Sequence, residues 1–319
     1  MQMQKSLRRI IVTILMIAVY TVFVAGDVST VTVEAKTKSK YTIYVNRREN
    51  IVNVVKTKTG KNVRSMYCSV GLNSGTITGV FHTKEKYRWR ALYHNSYGQY
   101  ATRISGPFLF HSVPYSKMKS NKLYNEEYNK LGEAASMGCV RLAVIDAKWI
   151  YDNCKTGTKV VINDTRKMKK PKRDLLKVTS RKKYGWDPTD PDENNPYYPV
   201  ITVVNYSERK LLRNSKADLK TFVEVKSKTT PTDVLAKYLK VKGEVDTSVP
   251  GKYKVTYEVK DPYTGITATK TVKFKVLKKM APATEAETLE SETTAEVENV
   301  TEVETLAETE STTEVETSK

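Results

Sequence analysis

Residues 100–115, with the sequence YATRISGPFLFHSVPY, belong to a region in which the sequence predicts mostly β-structure. Between residues 40 and 165, short segments with alternating apolar and polar side chains are separated by glycines, among them Gly98 and Gly106. Alternation with a period of two residues is typical of strands that bury one face. Helical spacing of apolar residues occurs over Asp146–Cys154. The region therefore predicts an all-β domain with one or two short helices.

Three further regions follow residue 165. Residues 166–196 are first rich in Lys and Arg and then in Pro, Asp and Asn, which predicts a linker. Residues 197–278 alternate again and predict a small β-sandwich. Residues 279–319 consist largely of Thr and Glu with few large apolar groups, so this tail is expected to be disordered.

Four acidic side chains cluster in the second half of the linker. They are Asp187, Asp190, Asp192 and Glu193. Their spacing does not match an EF-hand loop, and no glycine is present at the turn position of such a loop. The sequence therefore favours solvated carboxylates over a calcium site.

The first 35 residues have the pattern of an export signal. Lys5, Arg8 and Arg9 precede an apolar run over Ile10–Ala25, and the small-residue sequence Val33–Ala35 offers a cleavage site. A signal peptide and an uncleaved N-terminal anchor both remain open. Either one places the rest of the chain outside the membrane.

The charge distribution indicates a polyanionic partner. The chain has 319 residues with 54 Lys and Arg against 35 Asp and Glu, and twelve of the Glu lie in residues 281–319. Residues 1–280 therefore carry a formal charge of +30, which suits nucleic acid, anionic lipid or an anionic cell-wall polymer. Combined with the export pattern, this favours the wall polymer, and we expect no nucleic-acid partner. Three cysteines are too few for a disulfide scaffold and too irregularly spaced for a zinc site.

Cys139 is the residue most suited to nucleophilic chemistry. It lies in the sequence Ser136–Arg141, SMGCVR, just before the predicted helix, and Gly138 allows the backbone to turn sharply. A free thiol has a pKa of about 8.5, and a nearby imidazole is expected to populate the thiolate. Attack on an amide also needs N–H donors for the oxyanion. On these residues alone, an inert buried cysteine remains the alternative.

The base must come from three histidines. They are His82, His94 and His111. His82 is expected on a surface strand, whereas His94 is expected in a loop that covers the donor site.

Several motifs occur in the order found in the L,D-transpeptidase catalytic domain, the YkuD type, which the chain resembles over residues 40–165. They are Thr76–Phe81 (TITGVF), Tyr100–Tyr115, Ser136–Arg141 and the helical stretch Ala147–Asn153. The family pattern is a His, a variable stretch, Ser-His-Gly-Cys, and Arg or Asn two residues after the Cys. The resemblance implies a YkuD-type β-sandwich that needs no metal or organic cofactor.

The resemblance also implies roles for individual residues. Cys139 would be the nucleophile and His111 its general base, with the Ser112 carbonyl orienting the imidazole ring. The N–H groups of Gly138 and Cys139 would form the oxyanion hole. Two further residues would support the turn and the substrate, namely Ser136 and Arg141.

Three other residues are candidates for substrate contacts. Met137 occupies the position of the family's second His, a departure that implies altered substrate contacts or pH response. Trp89 and Tyr93 are candidates for the substrate groove, with ordinary packing as the alternative. Outside this set, Cys68 and Cys154 are expected to be core thiols, although export permits a disulfide between them.

The reaction implied by the resemblance is acyl transfer in peptidoglycan. Cys139 would attack the carbonyl of the third stem residue, release D-Ala, and pass the acyl group to an amine, giving a 3→3 crosslink. Such a reaction belongs to peptidoglycan biosynthesis, wall organisation and cell shape, and carbapenem-type β-lactams would inhibit it covalently. L,D-carboxypeptidase trimming or wall hydrolysis by the same cysteine, and a non-catalytic wall-binding protein, remain alternatives.

The second predicted sandwich has its own resemblance. Val241–Asp261, with Val-Asp-Thr, Pro-Gly-x-Tyr and a Val-x-Tyr-x-Val-x-Asp strand, resembles bacterial immunoglobulin-like repeats of surface proteins. Such modules share no common chemistry, so both a spacer and a wall-binding role stay open.

Overall fold

A computed structural model describes residues 39–179, 181–205 and 209–278. The predicted export signal over residues 1–35 and the Glu-rich tail over residues 279–319 lie outside the described residues. None of the helices in the described ranges has the length and apolar character needed to cross a membrane.

Most elements of the described chain are strands arranged around two separate cores. The first unit contains β1 (Tyr41–Asn46), β2 (Ile51–Lys56), β3 (Asn62–Ser69), β4 (Gly79–His82), β5 (Lys86–Leu92), β6 (Ser96–Ser105), β7 (Phe108–Ser112), β8 (Leu123–Tyr124), β9 (Val140–Leu142), β10 (Lys159–Asn163) and β11 (Tyr184–Gly185). The second unit contains β12 (Val200–Val203), β13 (Lys210–Leu211), β14 (Val223–Lys226), β15 (Leu239–Lys242), β16 (Gly251–Lys260) and β17 (Thr267–Val276). The α-helices of the described ranges are α1 (Asn125–Asn129), α2 (Val144–Asn153) and α3 (Thr232–Ala236).

The mostly-β prediction is confirmed, with three short α-helices in the described residues instead of one or two. The predicted helix Asp146–Cys154 corresponds to α2, which begins two residues earlier. The other two helices are only five residues long. One turn of helix is too short to show an apolar periodicity, so sequence pattern could not identify them.

The first unit is built on one nine-stranded sheet, in the order β4-β10-β1-β2-β3-β9-β7-β6-β5. The sheet curls back on itself, because the chain after β4 bonds to β6: the Lys84 N–H donates to the Arg103 carbonyl at 2.9 Å. The core lies inside this curl and includes the fully buried Ile43, Phe110 and Ile150. Alternating apolar residues supply it, as the sequence predicted.

The pairing of β7 with β9 brings distant residues together. The two strands run parallel, with His111 opposite Arg141 and Ser112 opposite Leu142. Cys139 directly precedes β9, so this register places the ends of both motifs at one end of the sheet. Because parallel strands need a long connection, residues 113–139 form the crossover.

The second unit is a small sandwich. A four-stranded sheet, β13-β17-β16-β15, lies against the two-stranded sheet β12-β14. Between them is a core that includes Tyr257, Phe222 and Phe274, and the two phenylalanine rings meet edge to face at 5.0 Å. This architecture agrees with the predicted Ig-like fold.

The predicted linker contains a segment that is buried against the first unit. Asp187 and Asp190 are 0% and 1% exposed, so the expectation that they are solvated is wrong, whereas Glu193 is exposed as expected. One Asp187 oxygen accepts the Val144 N–H at 2.8 Å, and Thr189 Oγ accepts the Ile145 N–H at 3.2 Å.

The physical reason for this burial is the N-terminus of α2. A helix leaves its first N–H groups without partners, and the residue before α2, Ala143, has no side chain to cap them. Asp187 and Thr189 satisfy these groups from a distance in sequence. We call residues 187–195 the capping segment.

Candidate active site

A cleft of about 950 Å³ opens beside Cys139. Its walls come from the turn between β5 and β6, the start of β7, and the loop that leads into β9. Predicted site residues that line it are Tyr93, His94, His111, Ser136, Met137, Gly138, Cys139 and Arg141. Most of the site residues predicted from the sequence therefore line this one cleft.

His111 is buried and fixed at the end of β7. Its Nδ1 lies 2.5 Å from the carbonyl oxygen of Ser112, so Nδ1 carries the proton and Nε2 is left as the basic nitrogen. Burial, followed by the positive charge of Arg141, lowers the pKa of His111 to about 4, against a small opposing effect of the Ser112 carbonyl. The imidazole is therefore neutral at pH 7 and able to accept a proton.

Cys139 is half-buried and holds its proton in the resting state. Its Sγ donates to the Pro107 carbonyl at 3.7 Å. Burial raises the pKa of the Cys139 thiol, and the Leu109 N–H and the cations Arg141 and Arg103 offset only part of this. These directions favour a neutral thiol beside a neutral imidazole at pH 7 over the resting thiolate that the sequence led us to expect. Proton transfer to His111 would have to accompany the attack.

The turn before Cys139 is held by side-chain hydrogen bonds. Ser136 Oγ donates to the Cys139 carbonyl at 2.6 Å and accepts the Gly138 N–H at 3.0 Å. The Gly138 carbonyl accepts from Thr76 Oγ at 2.8 Å. Because Ser136 already accepts the Gly138 N–H, this group is not presented to the cleft as an oxyanion donor. Of the predicted pair, the Cys139 N–H is the remaining candidate.

Gly138 has no substitute at its position. Its φ of +140° is a conformation that side chains rarely adopt, and a Cβ there would lie 2.8 Å from the Phe108 ring. This glycine lets the backbone turn tightly in front of Cys139.

Arg141 is oriented by an acidic partner. It forms an ion pair with Glu127 at 2.5 Å, and the same carboxylate also contacts Lys130 at 2.5 Å. Arg141 is the residue opposite His111 in the β7–β9 register, and its positive charge lowers the pKa of both His111 and Cys139. Its charge therefore acts on the imidazole and the thiol together.

Of the other residues predicted to contact substrate, two lie at the rim of the cleft and one packs in the core. Met137 is 67% exposed and Tyr93 is 70% exposed, and both lie at the edge of the cleft with His94. Trp89 does not line the cleft: its ring packs edge to face on buried Tyr115 at 5.2 Å. The groove role of Trp89 is wrong, because alternate residues of β5 face opposite sides and Trp89 faces the core.

The remaining cysteines and histidine lie away from the site. Cys68 and Cys154 are buried with free thiols, in agreement with core packing rather than a disulfide. His82 is exposed on β4, as predicted.

Two residues behind His111 were not identified from the sequence. Gly98 on β6 packs directly on the imidazole, where a Cβ would lie 2.8 Å from Nδ1. The neighbouring Gln99 donates its backbone N–H to Ser112 Oγ at 2.8 Å and its side-chain amide to Asp190 at 2.9 Å. A lone glycine inside a strand is a recognised signal of close backbone approach and could have indicated Gly98. The buried amide of Gln99 had no comparable signal.

Comparisons with known proteins assign both units to domain families. Residues 40–162 match the family described as the L,D-transpeptidase catalytic domain (YkuD), and residues 220–276 match the Ig-like domain of bacterial surface proteins. The chain therefore contains an L,D-transpeptidase catalytic domain followed by a bacterial surface Ig-like domain.

A curated relative shares the first of these domains. It is the putative L,D-transpeptidase YciB of Bacillus subtilis strain 168, 38% identical over 117 residues, which are 33% of this chain and 58% of the relative. The chain thus spans about three fifths of the length of that protein.

Two solved structures are also similar to part of the chain. One is a fused Zn-dependent amidase/peptidase and peptidoglycan-binding protein from Clostridium acetobutylicum ATCC 824, with 28% identity and a TM-score of 0.31, covering 39% of this chain and 51% of that one. The other is L,D-transpeptidase 3 from Mycobacterium tuberculosis with a faropenem-derived adduct, with 18% identity and a TM-score of 0.30, covering 39% and 60%.

Proposed function

We propose that this chain is a peptidoglycan L,D-transpeptidase that forms 3→3 crosslinks through a thioester on Cys139. The observation that carries the proposal is the neutral, buried His111, anchored by Ser112 and lining the same cleft as Cys139. A neutral imidazole with one nitrogen fixed can take the proton of a neutral thiol as the sulfur attacks.

The proposed first half-reaction is acylation. Cys139 Sγ bonds to the carbonyl carbon of the third stem residue, and its proton passes to His111. The Cys139 N–H would stabilise the oxyanion. The bond to the terminal residue then breaks, His111 returns the proton to the leaving amine, and D-Ala departs.

The proposed second half-reaction consumes the thioester. The side-chain amine of another stem's third residue attacks the acyl carbon and gives a proton to His111. The C–S bond breaks and the thiolate takes this proton back, which restores the resting pair. Water as the acceptor would give L,D-carboxypeptidase trimming from the same site.

A non-catalytic wall-binding protein is the second candidate, because Met137 replaces a histidine of the family pattern. The structure favours catalysis over this reading. The hydrogen bonds that hold the turn come from Ser136 and Thr76, while the Met137 side chain is exposed at the rim. Its substitution therefore leaves the nucleophile's support intact and alters the substrate surface instead.

The proposed location is outside the cell, in contact with the wall. The Ig-like domain of the bacterial surface type supports this, together with the substrate that the catalytic domain implies. Stem peptides would be the substrate, and anionic wall polymers would attract the basic surface. Cleavage of the N-terminal segment or anchoring through it would both fit this location.

The decisive experiment is covalent labelling by a carbapenem. The strained lactam carbonyl would be attacked by Cys139, adding the mass of one inhibitor molecule. We expect one adduct in the wild type and in Cys68→Ala, whose thiol is buried, and none in Cys139→Ala. His111→Ala should slow the labelling by about 10²- to 10⁴-fold, as expected for loss of a general base.

Incubation with disaccharide-tetrapeptides then separates the reactions. Dimers lacking one D-Ala indicate crosslinking, whereas tripeptide and free D-Ala alone indicate trimming. If the folded chain gives neither an adduct nor any product, the enzymatic proposal is rejected and wall binding is left.

A further inference from the structure

The outer face of the four-stranded sheet in the Ig-like unit carries an array of lysines. Apolar residues of β16 and β17 point into the core at alternate positions, and lysines occupy many of the positions between them. The outward lysines, which we call the lysine face, are Lys210, Lys240, Lys242, Lys252, Lys254, Lys260, Lys273 and Lys275, all exposed. The strands contribute one acidic side chain to this face, Glu258, which pairs with Lys242.

The strand register places like charges side by side. Lys210, Lys275 and Lys252 are direct neighbours across three strands, and Lys254 lies opposite Lys273 in the next row. Neighbouring strands are about 4.8 Å apart, and successive residues on one face are about 6.8 Å apart. Both spacings are within the Debye length of about 8 Å at physiological salt, so these ammonium groups repel one another.

This arrangement costs stability unless a counter-charge is bound. Like charges directly opposite each other on paired strands are destabilising. Within the described residues 210–278, ion pairs form between Lys226 and Glu224 and between Lys242 and Glu258. Neither pair includes the central lysines of β16 and β17, which are Lys252, Lys254, Lys273 and Lys275. A polyanion bound along the lysine face would offset the repulsion among them.

The chain itself supplies a polyanion at this place. β17 ends at Val276, and residues 281–319 follow with twelve Glu and a single Lys. The first Glu, at position 285, is nine residues beyond the strand, a reach of about 30 Å for extended chain. A segment tethered so closely has an effective concentration in the millimolar range. We propose that the Glu-rich segment 281–319 binds the lysine face of its own Ig-like unit.

The test is lysine acetylation measured by mass spectrometry. The full chain is compared with a chain ending at residue 280, at about 10 mM salt and at 1 M salt, where the Debye length falls from about 30 Å to 3 Å. At low salt, the lysine face should react about two- to fivefold more slowly in the full chain than in the shortened chain. This ratio corresponds to the free energy that one exposed ion pair contributes. At 1 M salt the two chains should react alike. Lys117 and Lys119, on a loop of the first unit, serve as internal controls.

A second variant tests the role of charge without touching the folded units. Replacing all twelve Glu of the segment by Gln keeps its length and should abolish the protection. Persistent protection in that variant would overturn the proposal.

Three other results would also overturn it. Equal reactivity of the lysine face in the full and shortened chains would mean that the segment does not bind there. Protection confined to the basic residues 166–183 would assign the segment to another surface. Protection that disappears on dilution at constant salt would mean that the segment binds a second copy of the chain.

Discussion

Replacement of Gly98 by Ala tests how His111 is held. A Cβ at position 98 would lie 2.8 Å from His111 Nδ1 and 3.1 Å from its Cγ, whereas ordinary contacts begin at 3.4 Å. The imidazole would have to move by about 0.6 Å, and because Nδ1 is bound to the Ser112 carbonyl, the movement would strain that hydrogen bond. Misplacement by about 1 Å costs about 100-fold in rate, so we expect acylation to slow by about 10- to 100-fold.

The measurement is the rate of Cys139 acylation by a carbapenem. The adduct should have an unchanged mass, since Cys139 is intact. Gly251→Ala is the matched control, because Gly251 also lies in a strand, β16, and the nearest atom to its Cβ would be 3.6 Å away. That variant should acylate at the wild-type rate.

Overpacking by one methyl group costs about 1–3 kcal/mol of stability, so thermal unfolding must show that Gly98→Ala is folded at the assay temperature. The NMR shifts of the His111 ring provide a readout independent of catalysis and should change in this variant alone. A folded Gly98→Ala chain with wild-type acylation and unshifted ring resonances would show that Gly98 does not position the His111 ring.

Three further predictions concern charged groups. The acylation rate should fall on the acid side near pH 4, the pKa of His111. Arg141→Gln should move this fall to higher pH, because removal of the cation raises the pKa of His111, and an unchanged pH profile would contradict the coupling. Burial raises the pKa of Asp187 from 3.8 to about 6, so the folded protein binds the Asp187 proton more tightly than the unfolded chain does. The contribution of Asp187 to the free energy of unfolding should therefore fall by about 3 kcal/mol as the pH rises from 3.8 through 6. Denaturant titrations should show this fall in the wild type relative to Asp187→Asn, and a pH-independent difference would count against it. Asp190→Ala removes the acceptor of the buried Gln99 Nε2 and should lower stability by about 1–3 kcal/mol and slow acylation. Asp190→Asn should be closer to the wild type, and equal effects of the two variants would argue against this hydrogen bond.

Local sequence pattern was sufficient to predict the strands and to identify the motif around Cys139. The alternation of β16 and β17 is visible in sequence because one face of each strand is buried. The Cys139 turn was identifiable because its residue types and order match a known family. The catalytic unit's fold followed from these two observations.

Features that depend on distant contacts were not predictable. Asp187 lies in a segment whose Pro and Asp content is typical of a linker. Its burial depends on α2, because the Val144 N–H, 43 residues earlier, has no local side-chain cap and donates to Asp187 instead. Gly98 matters because β6 lies against β7, a pairing that local pattern does not define. Trp89 was misassigned for the same reason, since only the sheet determines which side of β5 faces the core.

The attachment of the capping segment has a consequence for cleavage of the chain. The basic residues 166–183 that precede it are mostly exposed, and trypsin cuts after Lys and Arg. The capping segment is bound to α2 and Gln99 by hydrogen bonds, and these bonds do not require an intact peptide connection. After cleavage in this stretch, the two fragments should therefore stay associated as a noncovalent complex and separate only when the protein is denatured.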